Sequence, residues 1–422
     1  MENNVFKKAD ILLYNQKNME NWSVVACDQY TSEPDYWQNV KETTQNTPST
    51  YNLVFPEIYL KDDNFDERIE NINKNMTDYL SKNIFDEHKN KYFYIERKLK
   101  NGNIRKGIIG MVDLTCYDYE KGSTSLIRAT EGTVLDRIPP RVKIRENAPL
   151  ELPHVMLLID DEEKAIIEPL ENQKSDFLKV YDFSLMQNSG SISGYCVDDK
   201  TANLLDEKII KLSEKEYFEK KYNVNNKSVL QFAVGDGNHS LATARKCFLN
   251  LKEKIGDEAL NSPARYALVE LVNLHDSSLE FEAIHRVVFG IDPACMLLKF
   301  AEFYNLSNTF VKDSQEVTVV IGDEIKTVYI TNSTRNLSVG SLQDFIDDYL
   351  SRNSGEVDYI HGEDVVKKLC KDKNSIGFIL PCMDKNDLFK TVILDGALPR
   401  KTFSMGEACD KRFYLEARKI QK

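Results

Sequence analysis

The chain has 422 residues, 41% hydrophobic and 29% charged, which is enough apolar material for two or three packed domains at about 150 residues each and too much for a disordered chain. Its 55 Lys and Arg stand against 67 Asp and Glu, and a net charge of −12 repels polyphosphate backbones, which argues against general nucleic-acid binding. A small anionic ligand is still allowed, because a few cations and oriented backbone N–H groups act locally against the global field.

The N-terminal run Met1–Asp10 lacks the apolar stretch of a signal peptide. Even the dense segment Val155–Ile159 is far shorter than the ~20 residues that span a bilayer. Eight cysteines are scattered singly with no Cys-x-x-Cys, which fits free thiols in a reducing compartment. A cytoplasmic protein without membrane contact is expected, and homo-oligomerisation is left open.

Ile11–Tyr14 and Val24–Cys27 read as strands. Phe65–Leu80 reads as an amphipathic helix, with Ile69, Ile72, Met76 and Leu80 at spacings of three and four. Tyr92–Lys98 and Ile104–Leu114 form a predicted hairpin around Asn101-Gly102, a pair suited to positive φ. The Arg- and Pro-rich stretch Arg128–Pro153 reads as a loop, followed by strands at Val155–Asp160 and Ala165–Pro169. Further on come a helix over Leu204–Lys221, a short strand at Val229–Val234, and strands at Tyr266–Asn273 and Leu279–Phe289. After Gly290 the pattern restarts: a helix (Cys295–Tyr304), a hairpin (Val317–Thr331), a helix (Ser341–Ser351), and strands at Ile376–Leu380 and Phe389–Leu394. The expected organisation is a larger domain over 1–292 and a smaller α/β domain over 293–422. Irregular alternation of elements points to α+β or mixed α/β rather than a doubly wound sheet.

The most informative segment is Gly235-Asp236-Gly237-Asn238-His239-Ser240, between the strand ending at Val234 and a helical pattern of Leu241, Ala244, Phe248, Leu251 and Ile255. Ser240 is expected to cap that helix through its hydroxyl. The free N–H groups of the first turn and the helix dipole make an anion site, and the two glycines let a phosphate approach the backbone. Asp236 could ligate a divalent metal or act as a base, and His239 could donate to a phosphoryl oxygen. The alternative is a capped helix start without a ligand. A Walker loop is excluded, because its Gly-Lys-Ser/Thr ending is absent.

These residues carry a resemblance. The chain resembles domain of unknown function family 1015 over nearly its whole length. Asp236, Gly237, Asn238, His239 and Ser240 fall on that family's Asp-Gly-His-His-Arg motif, and Glu131-Gly-Thr133 with Arg145 is similar to its Glu-x-Thr…Arg segment. His285-Arg286 resembles its Thr-His-Arg, and Pro399-Arg-Lys401-Thr402 its Pro-x-Lys-Ser/Thr stretch. The same central signature is similar to one in the ParB/sulfiredoxin-like group, which includes nucleotide-binding partition proteins and kinases of free serine. That likeness implies a ParB/sulfiredoxin-like core and a phosphotransferase or nucleotide-binding site, and a phosphoryl-transfer reading adds Mg2+ as an expected partner of the nucleoside phosphate. The sequence departs from the motif with Asn238 for the first His and Ser240 for the Arg. Loss of that Arg removes a bidentate phosphate ligand, so another cation has to compensate.

Arg128, Arg137, Arg141 and Arg145 could supply the charge, since guanidinium forks suit phosphate. Pairing with Glu131, Asp136, Glu146 and Glu151 on the surface is the competing arrangement. Glu131, with Thr133 beside it, is the favoured carboxylate for a general base through the family likeness. His285, at the end of an alternating strand and next to Arg286, faces either a ligand or a structural hydrogen bond. A transition-metal site from Asp236, His239, His154 and His285 lacks the spacing that puts ligands on one helix face. Asp28 and Glu33, after Cys27, could orient a substrate amino or hydroxyl group, whereas Cys27 itself reads as a buried small residue. The basic stretch with Lys411-Arg412 is expected to pack back on the protein.

Two functions share the central turn. One is phosphoryl transfer from a nucleoside phosphate to a small hydroxyl-bearing metabolite such as an amino acid, with Glu131 or Asp236 taking the hydroxyl proton. The other is a non-catalytic nucleotide or metabolite sensor. A metal-dependent hydrolase is a third and weaker alternative.

Overall fold

The computed structural model describes residues 4–421. It is a mixed α/β fold made of two compact units, one built from residues up to Leu279 together with those from Glu407 onward, the other from Glu280–Gly406. The expected division at residue 292 therefore differs in two respects. Phe281–Phe289 pairs with Glu356–His361, Ser375–Ile379 and Phe403–Met405, which places it in the second unit. The C-terminal segment returns to the first unit, where Phe413–Tyr414 pairs with Val24–Val25 and Arg418–Lys419 with Leu150–Glu151.

The first unit is organised on a ten-stranded mixed sheet. Its hairpin Phe93–Lys98/Ile104–Asp113 forms as expected, with Gly102 at φ +89. Along these strands successive side chains alternate between two cores, as the two-residue period of a strand demands. Tyr94 and Ile108 join Leu205, Ile209, Leu241 and Phe248 on one face. Phe93, Ile95 and Ile109 join Trp22, Trp37, Ile69, Ile72, Met76 and Leu415 on the other.

A buried charge network anchors the returning segment. Glu270, with no solvent exposure, accepts from Arg105 Nε at 3.1 Å and Arg412 Nη1 at 3.1 Å. Arg412 also pairs with Glu416, which accepts the Tyr181 hydroxyl at 2.5 Å. Burying these charges is tolerable only because each meets an opposite partner.

The second unit is a seven-stranded sheet with helices Pro293–Phe303 and Ser338–Leu350 packed on it through Met296, Phe300, Leu342, Phe345 and Ile346. Among the described residues, no helix is long and apolar enough to cross a membrane.

Several local expectations are corrected. Phe389–Leu394, read as a strand, lies in the helix Lys385–Asp395, capped by Asp384 on the Asn386 N–H. Ala165–Pro169 leads into a 3-10 turn at Glu168–Asn172 instead of a strand. The single helix over Leu204–Lys221 is two, Asp199–Lys211 and Lys215–Tyr222. Within the Arg-rich stretch, Ile138–Arg145 is a helix whose prolines sit in its first turn, where a missing N–H costs nothing.

Candidate functional site

The strand Phe232–Asp236 runs antiparallel to Met156–Ile159 and parallel to Ile127–Ala129. Its last residue, Asp236, stands opposite Met156, so the chain leaving the strand turns beside His154 and Val155. Gly237 makes that turn at φ +78, a conformation costly for any L side chain, and the helix Asn238–Ile255 begins at once. The helix therefore starts two residues before the expected Ser240. Gly237 occupies the cap position, no side chain caps the helix, and Ser240 lies inside the first turn.

Three consequences follow for the N-terminus of this helix. The Leu241 N–H bonds the Gly237 carbonyl at 3.0 Å, whereas the N–H groups of Asn238, His239 and Ser240 meet no acceptor among the described residues. The apolar residues Leu241, Ala244 and Phe248 bury one side of the helix and leave Asn238, His239 and Ser240 half-exposed. Asn238 Oδ1 and Thr133 Oγ1 are both shielded from solvent without a hydrogen-bond partner. Buried polar atoms left unpaired are rare enough to need a cause, and an absent ligand is one. Gly235 has a different reason to be glycine, because a Cβ there would meet Leu158 Cγ at 2.8 Å.

The groups around this turn come from distant parts of the first unit. Lys411, on the returning segment, holds Asp236 Oδ2 at 3.4 Å, and the other Asp236 oxygen accepts the Gly237 N–H at 2.9 Å. His239 Nε2 accepts the Val134 N–H at 3.3 Å, so this nitrogen is an acceptor here and the neutral ring carries its proton on Nδ1. Burial, followed by the charges of Arg141 and Arg137, lowers the His239 pKa to about 4, against the opposing pull of Asp28. Arg141 donates to the Arg137 carbonyl at 2.5 Å and pairs with Glu57. Burial alone would raise the Asp28 carboxyl, but His154, Gln29, Lys411 and its own backbone hold it below the usual value. Asp28 is thus a carboxylate at neutral pH, within the electrostatic reach of both His154 and Lys411.

The remaining residues singled out in the sequence are placed as follows. Arg128 is buried and donates to the carbonyls of Ser125, Ser228 and Val229 at 2.8–2.9 Å, so its guanidinium is engaged in tying together the segments that lead into the strands Ile127–Ala129 and Phe232–Asp236. Arg145 pairs with Glu151 at 2.5 Å, and Glu151 in turn takes Arg418 at 2.6 Å. Glu131, half-buried, follows the strand Ile127–Ala129. His285, Arg286 and Lys401 belong to the second unit. His285 is 5% exposed and accepts the Leu380 N–H on Nδ1 at 3.2 Å. Arg286 is fully buried, bonded to Gln343, the Ile284 carbonyl and the Arg400 carbonyl, and stacked over Tyr359. Lys401 is an exposed turn residue at φ +58.

Tyr414, paired with both His154 and Cys27, was not singled out in the sequence, and Lys411 was read only as part of a segment folding back. The sequence signal was the short apolar run Phe413-Tyr414-Leu415, which marks a buried strand rather than a tail and carries Lys411 with it. Among the described residues, no group of three or more His, Cys, Asp or Glu is placed to hold a metal ion by itself.

A family model described as "Protein of unknown function (DUF1015)" matches residues 9–349. No curated protein matches the sequence significantly. Among solved structures, SbnI with C-terminal truncation from Staphylococcus aureus is similar at 10% identity and a TM-score of 0.35, over 73% of this chain and 82% of that one. A free serine kinase in complex with AMP is similar at 10% identity and a TM-score of 0.35, over 74% and 90%. A conserved hypothetical protein from Pyrococcus furiosus is similar at 9% identity and a TM-score of 0.35, over 74% and 94%. Likeness of this degree transfers neither ligand nor activity.

Proposed function

We propose, for a chain that belongs to the DUF1015 family of proteins of unknown function, that the turn Gly237–Ser240 binds the phosphates of a nucleotide and that the site passes a phosphoryl group to a small hydroxyl-bearing metabolite such as an amino acid. The observation that carries this reading is the run of three unbonded N–H groups at Asn238, His239 and Ser240, opening where Arg137, Arg141 and Lys411 concentrate positive charge in an otherwise acidic protein. Those cations take the place of the guanidinium that Ser240 lacks. Thr133 Oγ1 and Asn238 Oδ1 supply the polar partners that a phosphate and its hydration need.

Phosphoryl transfer asks a protein mainly for position and charge. The helix N–H groups would fix the phosphate oxygens, and Lys411, released from Asp236, would offset charge on the leaving side. Asp28 or Asp236 would take the proton from the acceptor hydroxyl, with Glu131 as the alternative base. Mg2+ keeps most of its ligands as water and phosphate oxygen, so Asp236 alone is a sufficient protein ligand for it, and the bound ion would neutralise phosphate charge.

The test is ADP binding by calorimetry, then consumption of ATP with Mg2+ across a panel of hydroxylated amino acids and other metabolites. Saturable ADP binding and acceptor-dependent ADP release, both reduced in Asp28→Asn and Asp236→Asn, are expected. Binding without turnover over the whole panel would make the protein a nucleotide sensor. No binding of any nucleotide would remove the proposal.

A further inference from the structure

We infer that His154 is a ligand-facing donor of this site, offering Nε2–H to a phosphoryl oxygen, with its proton placed there by Tyr414 of the returning segment. The inference rests on the phosphate-binding reading above and names a residue that reading does not use.

His154 is 8% exposed, and its Nδ1 lies 2.7 Å from the Tyr414 hydroxyl. The two rings meet edge to face, with centroids 5.5 Å apart at 87°. Tyr414 is itself buried, and its hydroxyl oxygen accepts the Cys27 N–H at 3.3 Å and lies 3.0 Å from Cys27 Sγ. A tyrosine hydroxyl has one proton to give and two lone pairs to offer. The hydroxyl can donate to either His154 Nδ1 at 2.7 Å or Cys27 Sγ at 3.0 Å, and the imidazole nitrogen is both nearer and a far better acceptor than sulfur, so the proton goes to His154 Nδ1 while the Cys27 N–H donates to the oxygen. A neutral imidazole that accepts at Nδ1 carries its proton on Nε2.

That second nitrogen has no hydrogen-bond partner among the described residues, although the side chain is more than nine-tenths buried. Its direction follows from Gly237. A Cβ built on Gly237 would lie 3.3 Å from His154 Cδ2, the carbon bonded to Nε2. This ring edge therefore lies against the glycine that opens the helix, immediately before the three residues whose N–H groups are unbonded. A fixed side-chain donor and three backbone donors form a set suited to one tetrahedral anion.

The discriminating experiment measures the ADP affinity of full-length wild type, His154→Phe, His154→Gln and Tyr414→Phe, with inorganic pyrophosphate as a second probe. Phe keeps the ring and deletes the donor, whereas the Gln amide places an N–H near the former Nε2. Affinity should fall roughly ten- to a hundred-fold in His154→Phe, the size expected for losing one hydrogen bond to a charged group. It should stay within about three-fold of wild type in His154→Gln and fall by an intermediate factor in Tyr414→Phe. Wild-type binding that survives unchanged in His154→Phe overturns this inference and leaves the phosphate site standing. Wild type that binds neither probe overturns both. Should the Phe variant fail to fold, ring-nitrogen NMR of 15N-histidine wild type decides, with His154 assigned by its absence in His154→Gln. A proton on Nε2 that shifts on ADP addition supports the role, and a proton on Nδ1 overturns it.

Discussion

Replacing Gly237 by Ala tests the backbone of the proposed site with the fewest new atoms. The substitution forces an L side chain to φ +78, at about 1–2 kcal/mol. The new Cβ would also stand 3.0 Å from Val155 Cα, 3.2 Å from Val155 Cγ2 and 3.3 Å from His154 Cδ2. Ordinary carbon contacts lie at about 3.5–4.0 Å. The nearest of these atoms is backbone and cannot swing aside, so overpacking adds about 1–3 kcal/mol. The sum is about 2–5 kcal/mol, which at a urea slope of about 3 kcal/mol/M lowers the midpoint by about 1 M. Tryptophan fluorescence is the right assay, because the chain's two tryptophans, Trp22 and Trp37, are both fully buried in the first unit. Gly122→Ala is the control: Gly122 has φ +81 and nothing within 4 Å of a Cβ, so it reports the backbone penalty alone. Equal midpoints for the two variants would refute the crowding at Val155 and His154. A Gly237→Ala midpoint within about 0.2 M of wild type would refute the backbone penalty as well.

Arg412→Met leaves Glu270 and Glu416 each short of a buried partner and should cost about 3–5 kcal/mol by the same fluorescence assay; a loss below about 1 kcal/mol would show that Arg105 and Tyr181 suffice. His239 is held neutral with a pKa of about 4, chiefly by burial and then by Arg141 and Arg137, against about 6.5 in the unfolded chain. The unfolded state therefore binds the extra proton between those values, so this contribution is complete above about pH 6.5 and is lost as pH falls toward 4. Discounted for partial exposure it amounts to about 1–2 kcal/mol, and His239→Gln should flatten this part of the melting temperature against pH, whereas an unchanged slope contradicts it. Arg137→Ala and Arg141→Ala should each weaken ADP binding by about three- to ten-fold, more at low salt. Arg128→Gln should lower stability and leave affinity unchanged, because its guanidinium holds carbonyls rather than facing the turn.

What the sequence disclosed was local. The hairpin at Asn101-Gly102, the strand Tyr266–Asn273 and the strand–glycine–helix turn all follow from residues next to one another, and all are present. The run around Phe389–Leu394 shows the limit: Leu388, Phe389, Val392 and Ile393 are all buried, and a short apolar run fits a buried helix as well as a strand. The expected single helix over Leu204–Lys221 runs through Leu212-Ser213-Glu214 because charge and helix propensity continue there, where the structure breaks. The site was legible only at its backbone. Lys411 and Tyr414 reach Asp236 and His154 from far along the chain, and no periodicity in one sequence marks which distant residues will meet. Arg128 and Arg141 look alike in the sequence, and burial alone separates a clamp on backbone carbonyls from a residue whose charge reaches His239.

The return of residues from Glu407 onward gives this protein an order of assembly. A ribosome must have read past Arg412 before Glu270 can find its full complement of charge, and past Tyr414 before His154 can. Until then the nascent first unit carries a desolvated acid at its centre and lacks Lys411 beside Asp236. A chain that stops short of those residues leaves Glu270 with Arg105 as its one buried cation and His154 without the Tyr414 hydroxyl.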